Sequence, residues 1–265
     1  MTQRYGIVAH PVGHSLSPTM HNAAFKALGI EATYEAFDIA PDSLGAFVNE
    51  QKEIAGLSVS LPHKTAIIEH LDGIDQTSQR IGAVNTVYKK DGQTWGTNTD
   101  APGFLNALKA VVPELKDKRV MVIGAGGAAR AVLSVLVDEV NSVTVINRTV
   151  PTGVSLAKEF NCRYGGKIED LTTETPDIIV NTTSVGLEGR EEPKLVPDDF
   201  LESDMVIFDI VYRREGETQL IQKSKAAGAM TINGKAMLLE QGILQFELWT
   251  GQPAPREIMV QALSA

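Results

Sequence analysis

The sequence is poor in the features that mark several large classes of protein. Its single cysteine, Cys162, can close no disulfide within the chain, and one thiol is no metal site. No apolar run approaches the roughly 20 residues that span a bilayer. There are no internal repeats and no low-complexity tract. His14, His21 and His63 lack a carboxylate at metal-ligand spacing, so no metal is expected. Positive charge is in deficit, 24 Lys and Arg against 33 Asp and Glu, and the net charge of -9 opposes generic binding to nucleic acid or anionic membranes. Met1-Thr2-Gln3-Arg4 runs straight into a strand-like segment with no signal-peptide core, so a cytoplasmic chain is expected. At 265 residues and 43% hydrophobic, the chain suits one large domain or two modest ones.

What is present is organised around Val120-Met121-Val122-Ile123-Gly124-Ala125-Gly126-Gly127-Ala128-Ala129-Arg130. A β-rich apolar run ends in glycines, and Ala131 to Leu136 suits a helix. Gly124 permits a tight turn, and Gly126 lets a pyrophosphate approach the backbone. Ala129 stands where a third small residue packs helix on strand. The free N–H groups of the helix start would then face phosphate. The next strand, Ser142 to Ile146, ends in Asn147-Arg148-Thr149. NAD sites usually place Asp or Glu here to accept from the ribose 2′-hydroxyl. A guanidinium, a hydroxyl and an amide stand here instead, a set suited to a 2′-phosphate, and NADP is the cofactor expected. Lys64, Arg130 and Arg148 offer local positive charge against the acidic background.

In chain order, Tyr5 to Ala9 reads as a first strand, followed by a loop rich in hydroxyl and imidazole. Ser17 then suits a helix N-cap with Pro18 as first helical residue. Ala32 to Ile39 reads as a strand, Leu44 to Glu53 as a helix and Ala55 to Ser60 as a third strand leading through Lys64 into another helix. Asp91-Gly92 joins two strand-like runs and signals a hairpin. Asn98-Thr99-Asp100 opens a helix running toward Val111, and the polar connector Pro113 to Lys118 marks a domain boundary. Beyond it come strands at Asp177 to Asn181, Met205 to Ile210 and Met230 to Ile232, then helical stretches from Met237 to Phe246 and Pro255 to Leu263. The alternation implies an α/β protein.

The N-terminal block carries hydroxyls at Ser15, Ser17 and Ser60, an amide at Asn85, a cation at Lys64 and a carboxylate at Asp100. All fall at strand ends or helix starts, where α/β folds place ligands. The set suits a polyhydroxylated small molecule. Each also has an ordinary structural reading: Ser17 as an N-cap, Lys64 as a solvated helix residue, Asp100 as a helix cap. From spacing alone, the expectation is an NADP-linked oxidoreductase of a small polar substrate.

The same residues resemble the shikimate dehydrogenase family over nearly the whole chain. The likeness is carried by His14-Ser15-Leu16-Ser17-Pro18 with His21-Asn22, by Gly56 to Lys64, by Gly82 to Thr86 and by Asn98-Thr99-Asp100. Gly124 to Ala128, Asn147-Arg148-Thr149, Gly234 to Gln241 and Trp249-Thr250-Gly251 extend it. The resemblance implies reversible NADPH-dependent reduction of 3-dehydroshikimate to shikimate in aromatic amino-acid biosynthesis, with Lys64 and Asp100 as the catalytic pair. It implies Ser15, Ser17, Ser60, Asn85, Asp100, Tyr212 and Gln241 around the substrate. Gly124, Gly126, Gly127, Ala128, Asn147, Arg148, Thr149, Gly234 and Met237 would line the cofactor. Residues 1–112 with 237–265 would form an α/β substrate domain with a mixed sheet, to which the C-terminal helices return. Residues 113–236 would form a Rossmann-like NADP-binding domain. Both monomers and homodimers fit the family. Three sites, five positions in all, depart from its usual pattern: Ser60 replaces Thr, Ala9-His10 replaces Gly-Asn, and Arg213-Arg214 replaces Asn-Pro after Tyr212. Alternatives are a quinate/shikimate dehydrogenase with broader substrate or cofactor use, a non-catalytic NADP-binding sensor, and, more weakly, an amino-acid or folate dehydrogenase.

Overall fold

A computed structural model describes residues 2–170, 175–189 and 192–264. Its contacts divide into two compact units, Met1–Gly103 with Leu238–Ala265, and Phe104–Met237.

The first unit is built on a six-stranded mixed sheet. Strands β1 (Gln3–Ala9), β2 (Ala32–Asp38), β3 (Gly56–Val59), β4 (Gly73–Ile74), β5 (Thr86–Lys90) and β6 (Gln93–Thr97) take the order β2-β1-β3-β5-β6-β4. β1 runs parallel to β2 and β3, whereas β5 is antiparallel to both β3 and β6. Asp91 and Gly92 turn the β5–β6 hairpin with positive φ of 52° and 78°, the two left-handed residues a tight hairpin needs. The helices of this stretch are α1 (Ser17–Ala27), α2 (Leu44–Glu50), α3 (Gln76–Ile81) and α4 (Asp100–Lys109). Side chains of β1 alternate between two apolar layers: Tyr5, Ile7 and Ala9 pack with Met20, Phe25 and Phe246, and Val8 with Leu44, Phe47, Leu57 and Val59. Both faces are covered, which is why these strands read as near-continuous apolar runs.

The second unit is a wholly parallel sheet. Its elements are β7 (Arg119–Ile123), α5 (Gly127–Leu136), β8 (Ser142–Ile146), α6 (Val150–Glu159), β9 (Arg163–Tyr164), β10 (Ile178–Asn181), β11 (Val206–Asp209), α7 (Gln219–Ala226) and β12 (Met230–Ile232). The order β12-β11-β10-β7-β8-β9 reverses beside β7, the topological switch at which open α/β sheets bind ligands. Val120, Val122, Ile178 and Val180 enter one core and Met121, Ile123 and Ile179 the other. Two helices follow, α8 (Gly234–Thr250) and α9 (Arg256–Ser264), and α9 packs on α1 in the first unit. Among the described residues, no helix is long and apolar enough to cross a membrane.

Several local expectations change. The units part at Gly103 and Phe104, earlier than the Pro113 to Lys118 connector, because Phe104, Ala107 and Leu108 pack into the second core with Leu115 and Val120. Ser17 is not an N-cap: α1 starts at Ser17 itself, and Ser15 Oγ accepts from the Ser17 N–H at 3.2 Å. The stretch after Lys64 forms a short 3-10 turn, Ala66–His70, in place of an α-helix. β4, α3 and β9 are too short to announce themselves by periodicity.

Candidate active site

Lys64 lies in a turn that follows β3, and the turn is pinned at several points. The His63 N–H donates to the Ser60 carbonyl at 2.9 Å, and Val84 N donates to the Lys64 carbonyl at 2.8 Å. The buried His63 ring donates from Nε2 to the Ile39 carbonyl at 2.8 Å. Asp100 opens α4, but the cap is Asn98, whose Oδ1 accepts from Asp100 N at 3.0 Å. With the capping role taken by Asn98, the Asp100 carboxylate is left for Lys64. Lys64 Nζ donates to Asp100 Oδ2 at 2.6 Å, and Asn85 Nδ2 donates to Asp100 Oδ1 at 2.8 Å. The two charged side chains retain 21% and 11% exposure. They are dry enough for a strong charge-assisted bond yet open to a small molecule.

Gln241, on α8, donates from Nε2 to the Leu238 carbonyl, and its Oε1 stands 3.5 Å from Asn85 Nδ2. The structure therefore brings Lys64, Asp100, Asn85 and Gln241 into one connected group. Ser15 and Ser17 are buried at the start of α1, and Ser60 is half-buried at the end of β3. Among the described residues no hydrogen bond joins these three to the group. Sequence reasoning missed Thr86, Thr99, Asn98 and Gln245, all buried around Asn85. Asn85 Oδ1 accepts from Thr99 N and from the Thr86 hydroxyl, both at 2.7 Å. Gln245 Nε2 donates to Thr86 Oγ1 at 2.9 Å. One signal was available: Gln241, Gln245 and Trp249 recur every four residues and so share one face of α8. That face lies along residues 85–87, with Trp249 Nε1 donating to the Val87 carbonyl at 3.0 Å.

In the second unit the strand–turn–helix forms as its residues require. Gly124 has φ of +115°, and a Cβ there would meet Thr182 Oγ1 at 2.6 Å, so this glycine serves the turn. Ala129 is fully buried in the core between α5 and the sheet. Gly126 differs: its backbone is ordinary extended chain, and a Cβ on it, or on Gly127, would meet nothing within 4 Å. The N–H groups of Gly127, Ala128 and Ala129 have no acceptor among the described residues. An anion can thus reach the α5 N-terminus without displacing a side chain. At the end of β8, Asn147 Nδ2 donates to the Thr149 carbonyl, and Arg148 is exposed with no hydrogen bond or ion pair among the described residues. Arg130, by contrast, is engaged by Glu159 at 2.5 and 2.8 Å and is not a spare cation for a ligand.

The remaining expected residues, Tyr212 for the substrate and Gly234 and Met237 for the cofactor, lie elsewhere in this unit. Tyr212 is half-buried just beyond β11. Gly234 opens α8 against backbone, since a Cβ would sit 2.1 Å from the Ile210 carbonyl oxygen, and Met237 is part of the apolar core. Arg213 holds loops together: its Nε donates to the Gly186 carbonyl at 2.7 Å and its Nη2 to Glu192 at 2.5 Å. The other Glu192 oxygen accepts from Gln219 N at the head of α7. Arg214 N donates to Glu188 at 2.8 Å.

Comparison with known proteins covers the chain almost end to end. Residues 7–87 match the shikimate dehydrogenase substrate binding domain, residues 106–229 the shikimate / quinate 5-dehydrogenase family, and residues 236–263 the shikimate 5'-dehydrogenase C-terminal domain. A Shouchella clausii protein named shikimate dehydrogenase (NADP(+)) is 41% identical over 267 residues, covering 98% of this chain and 97% of that protein. The crystal structure of shikimate dehydrogenase from Aquifex aeolicus superposes with a TM-score of 0.93 at 40% identity, covering 100% of this chain and 98% of that one. The Thermus thermophilus shikimate 5-dehydrogenase in complex with NADP(H) and shikimate gives 0.89 at 39% identity, covering 99% and 98%. The chain belongs to the shikimate dehydrogenase family.

Proposed function

We propose that this chain catalyses the reversible reduction of 3-dehydroshikimate to shikimate with NADPH, in the cytoplasm, as a monomer or homodimer. The first unit is the substrate and catalytic domain and the second the cofactor domain. The observation that carries the reading is the Lys64–Asp100 contact of 2.6 Å, partly buried and tied to Asn85.

The mechanism follows from what these groups can hold and move. Reduction of a ketone builds negative charge on its oxygen, and the Lys64 ammonium stabilises that charge and delivers the proton. In the oxidative direction the lysine takes the hydroxyl proton back. Asp100 holds and aims the ammonium through one carboxylate oxygen while Asn85 holds the other. Ser15, Ser17, Ser60, Tyr212 and Gln241 supply hydrogen bonds for the substrate hydroxyls and carboxylate. The open N–H groups at Gly127 and Ala128, with the Cβ-free face of Gly126, fit a pyrophosphate, and Asn147, Arg148 and Thr149 fit a 2′-phosphate. NADPH, when bound there, supplies the hydride. Gly124 and Gly234 serve by letting backbone pass closely, and Met237 by packing beneath.

The test is initial-rate oxidation of shikimate and of quinate, each with NADP+ and NAD+. Turnover chiefly with shikimate and NADP+ supports the proposal. Substantial quinate turnover, above all with NAD+, would reassign the chain to quinate/shikimate oxidation, and silence in all four assays would leave a cofactor-binding sensor.

A further inference from the structure

Behind Asn85 runs a file of hydrogen bonds that point the same way, with side branches from the Thr99 hydroxyl to Asn85 and Thr86 and from Gln245 Nε2 to the Asn85 carbonyl. The Tyr34 phenol donates to Ser58 Oγ at 2.6 Å, and the Ser58 hydroxyl donates to Gln245 Oε1 at 2.8 Å. Gln245 Nε2 donates to Thr86 Oγ1 at 2.9 Å, the Thr86 hydroxyl to Asn85 Oδ1 at 2.7 Å, and Asn85 Nδ2 to Asp100 Oδ1 at 2.8 Å. Every member is buried, from Thr86 at 0% exposed to Asp100 at 8%. The direction is fixed by groups that have no choice. Thr99 N can only donate, and it donates to Asn85 Oδ1, so the Asn85 amide nitrogen must face the carboxylate. That orientation makes Asn85 Oδ1 an acceptor for Thr86, whose lone pair then faces Gln245 Nε2, whose oxygen in turn must accept from Ser58.

We propose that the file Tyr34–Ser58–Gln245–Thr86 is a positioning device for the acid–base pair. Each donor in a buried chain polarises the next, so the Asn85 N–H that meets Asp100 is a stronger donor than an isolated amide. A stronger donor favours the ionised carboxylate and keeps Oδ1 occupied, leaving Oδ2 for Lys64. The charged partner of Asp100 among the described residues is Lys64; Asn85, which donates to its other oxygen, is neutral, as are Thr86, Gln241 and Gln245, which bond to Asn85. Simple satisfaction of buried polar groups would also produce hydrogen bonds here, but it does not require one shared direction ending on a carboxylate. This inference rests on the role proposed for Lys64 and Asp100.

The test compares Thr86→Val, Thr86→Ser and Ser58→Ala with the wild-type chain. Two readouts are taken: kcat/KM for shikimate with NADP+, and the pH midpoint of the Asp100 carboxyl by ¹³C NMR in cofactor-free protein, assigned with Asp100→Asn. Thr86→Val is expected to lower kcat/KM about three- to tenfold, the size of one buried hydrogen bond, and to move the Asp100 midpoint upward. Thr86→Ser restores both, and Ser58→Ala, at the far end, shifts both less in the same direction. If Thr86→Val does not fold by circular dichroism, the Ser58→Ala shift decides. An unchanged Asp100 midpoint in the folded variants, with only thermal stability reduced, overturns the proposal. Absence of shikimate turnover in the wild-type chain would instead defeat the functional reading, and the NMR midpoint would still report on the file.

Discussion

Lys64 and Arg148 illustrate opposite ways in which one basic side chain is made useful. Lys64 is held by the buried end of Asp100, and in the proposed mechanism it delivers a proton to a defined place. Lys64→Ala is therefore expected to lower kcat by ~10²–10⁴ with KM for shikimate little changed. Steady-state rates with shikimate and NADP+ check this, and a near-wild-type kcat would remove Lys64 from the reaction. Arg148 stands exposed with no partner among the described residues, and in the proposed function it meets the cofactor. Arg148→Ala is expected to raise KM for NADPH while leaving kinetics with NADH nearly unchanged. Equal losses with both cofactors would mean that the guanidinium does not meet a 2′-phosphate. His21 is a third case, useful only while neutral. It is fully buried, stacked on Tyr34 with centroids 4.6 Å apart, and neither ring nitrogen makes a hydrogen bond among the described residues. Burial pushes its pKa down to about 3, with the nearby Gln245 amide offsetting part of the effect. The unfolded chain, with an ordinary histidine, therefore binds more protons than the folded one at every pH between the two values. Stability is full above the unfolded pKa and falls as the pH drops toward 3, by ~2 kcal/mol between about pH 7 and about pH 5. Urea denaturation of wild type and His21→Leu at those two pH values checks this: the leucine variant is expected to lose distinctly less on acidification.

At the scale of elements, the β7 turn separates two kinds of glycine that a sequence writes alike. Gly124 is required by the fold, whereas a side chain at Gly126 would meet nothing, and only the proposed cofactor site gives a reason for glycine there. Gly126→Ala is accordingly expected to leave the melting temperature within a few degrees of wild type while raising Kd for NADPH more than tenfold, measured by calorimetry. A melting temperature that falls without a change in affinity would return Gly126 to a purely structural role. The strand–turn–helix was legible because its signal is local: β-branched residues, glycines at fixed offsets and small residues at the helix start. The capping role of Asn98 was not, since Asn98, Thr99 and Asp100 are all acceptable caps and only the three-dimensional competition among them decides. The face of α8 was legible only in part. Gln241 was expected at the site from the resemblance, but nothing near Gln241 and Gln245 in sequence shows that residues 85–87 need donors and acceptors there. The proposed catalytic pair was visible as residue types, but its separation of 2.6 Å joins positions 36 residues apart and became apparent only once β3, β5 and α4 were in place.

At the scale of the whole molecule, the two units differ in how the chain supplies them. The second is one uninterrupted stretch, Phe104–Met237, while the first takes its sheet from one end and α9 with most of α8 from the other. A chain ending at Met237 is expected to keep slow amide exchange in β7, β8, β10 and β11 and to lose it in β1, β3 and β5, because Phe246 and Met259 are missing from the layer that holds Tyr5, Met20 and Phe25. Hydrogen exchange read by mass spectrometry checks this, and protected β1 and β3 amides in the shortened chain would contradict it. The arrangement has a consequence for synthesis on the ribosome, where the first residues made belong to the last part finished. Tyr5, Phe25 and Tyr34 emerge early and stay uncovered until α8 and α9 leave the exit tunnel, by which time the intervening sheet has had the chance to close on itself. A growing chain thus passes through a stage in which one half is finished and the other still exposes an apolar surface. Translation speed across residues 104–237 sets how long that surface is available to the wrong partner.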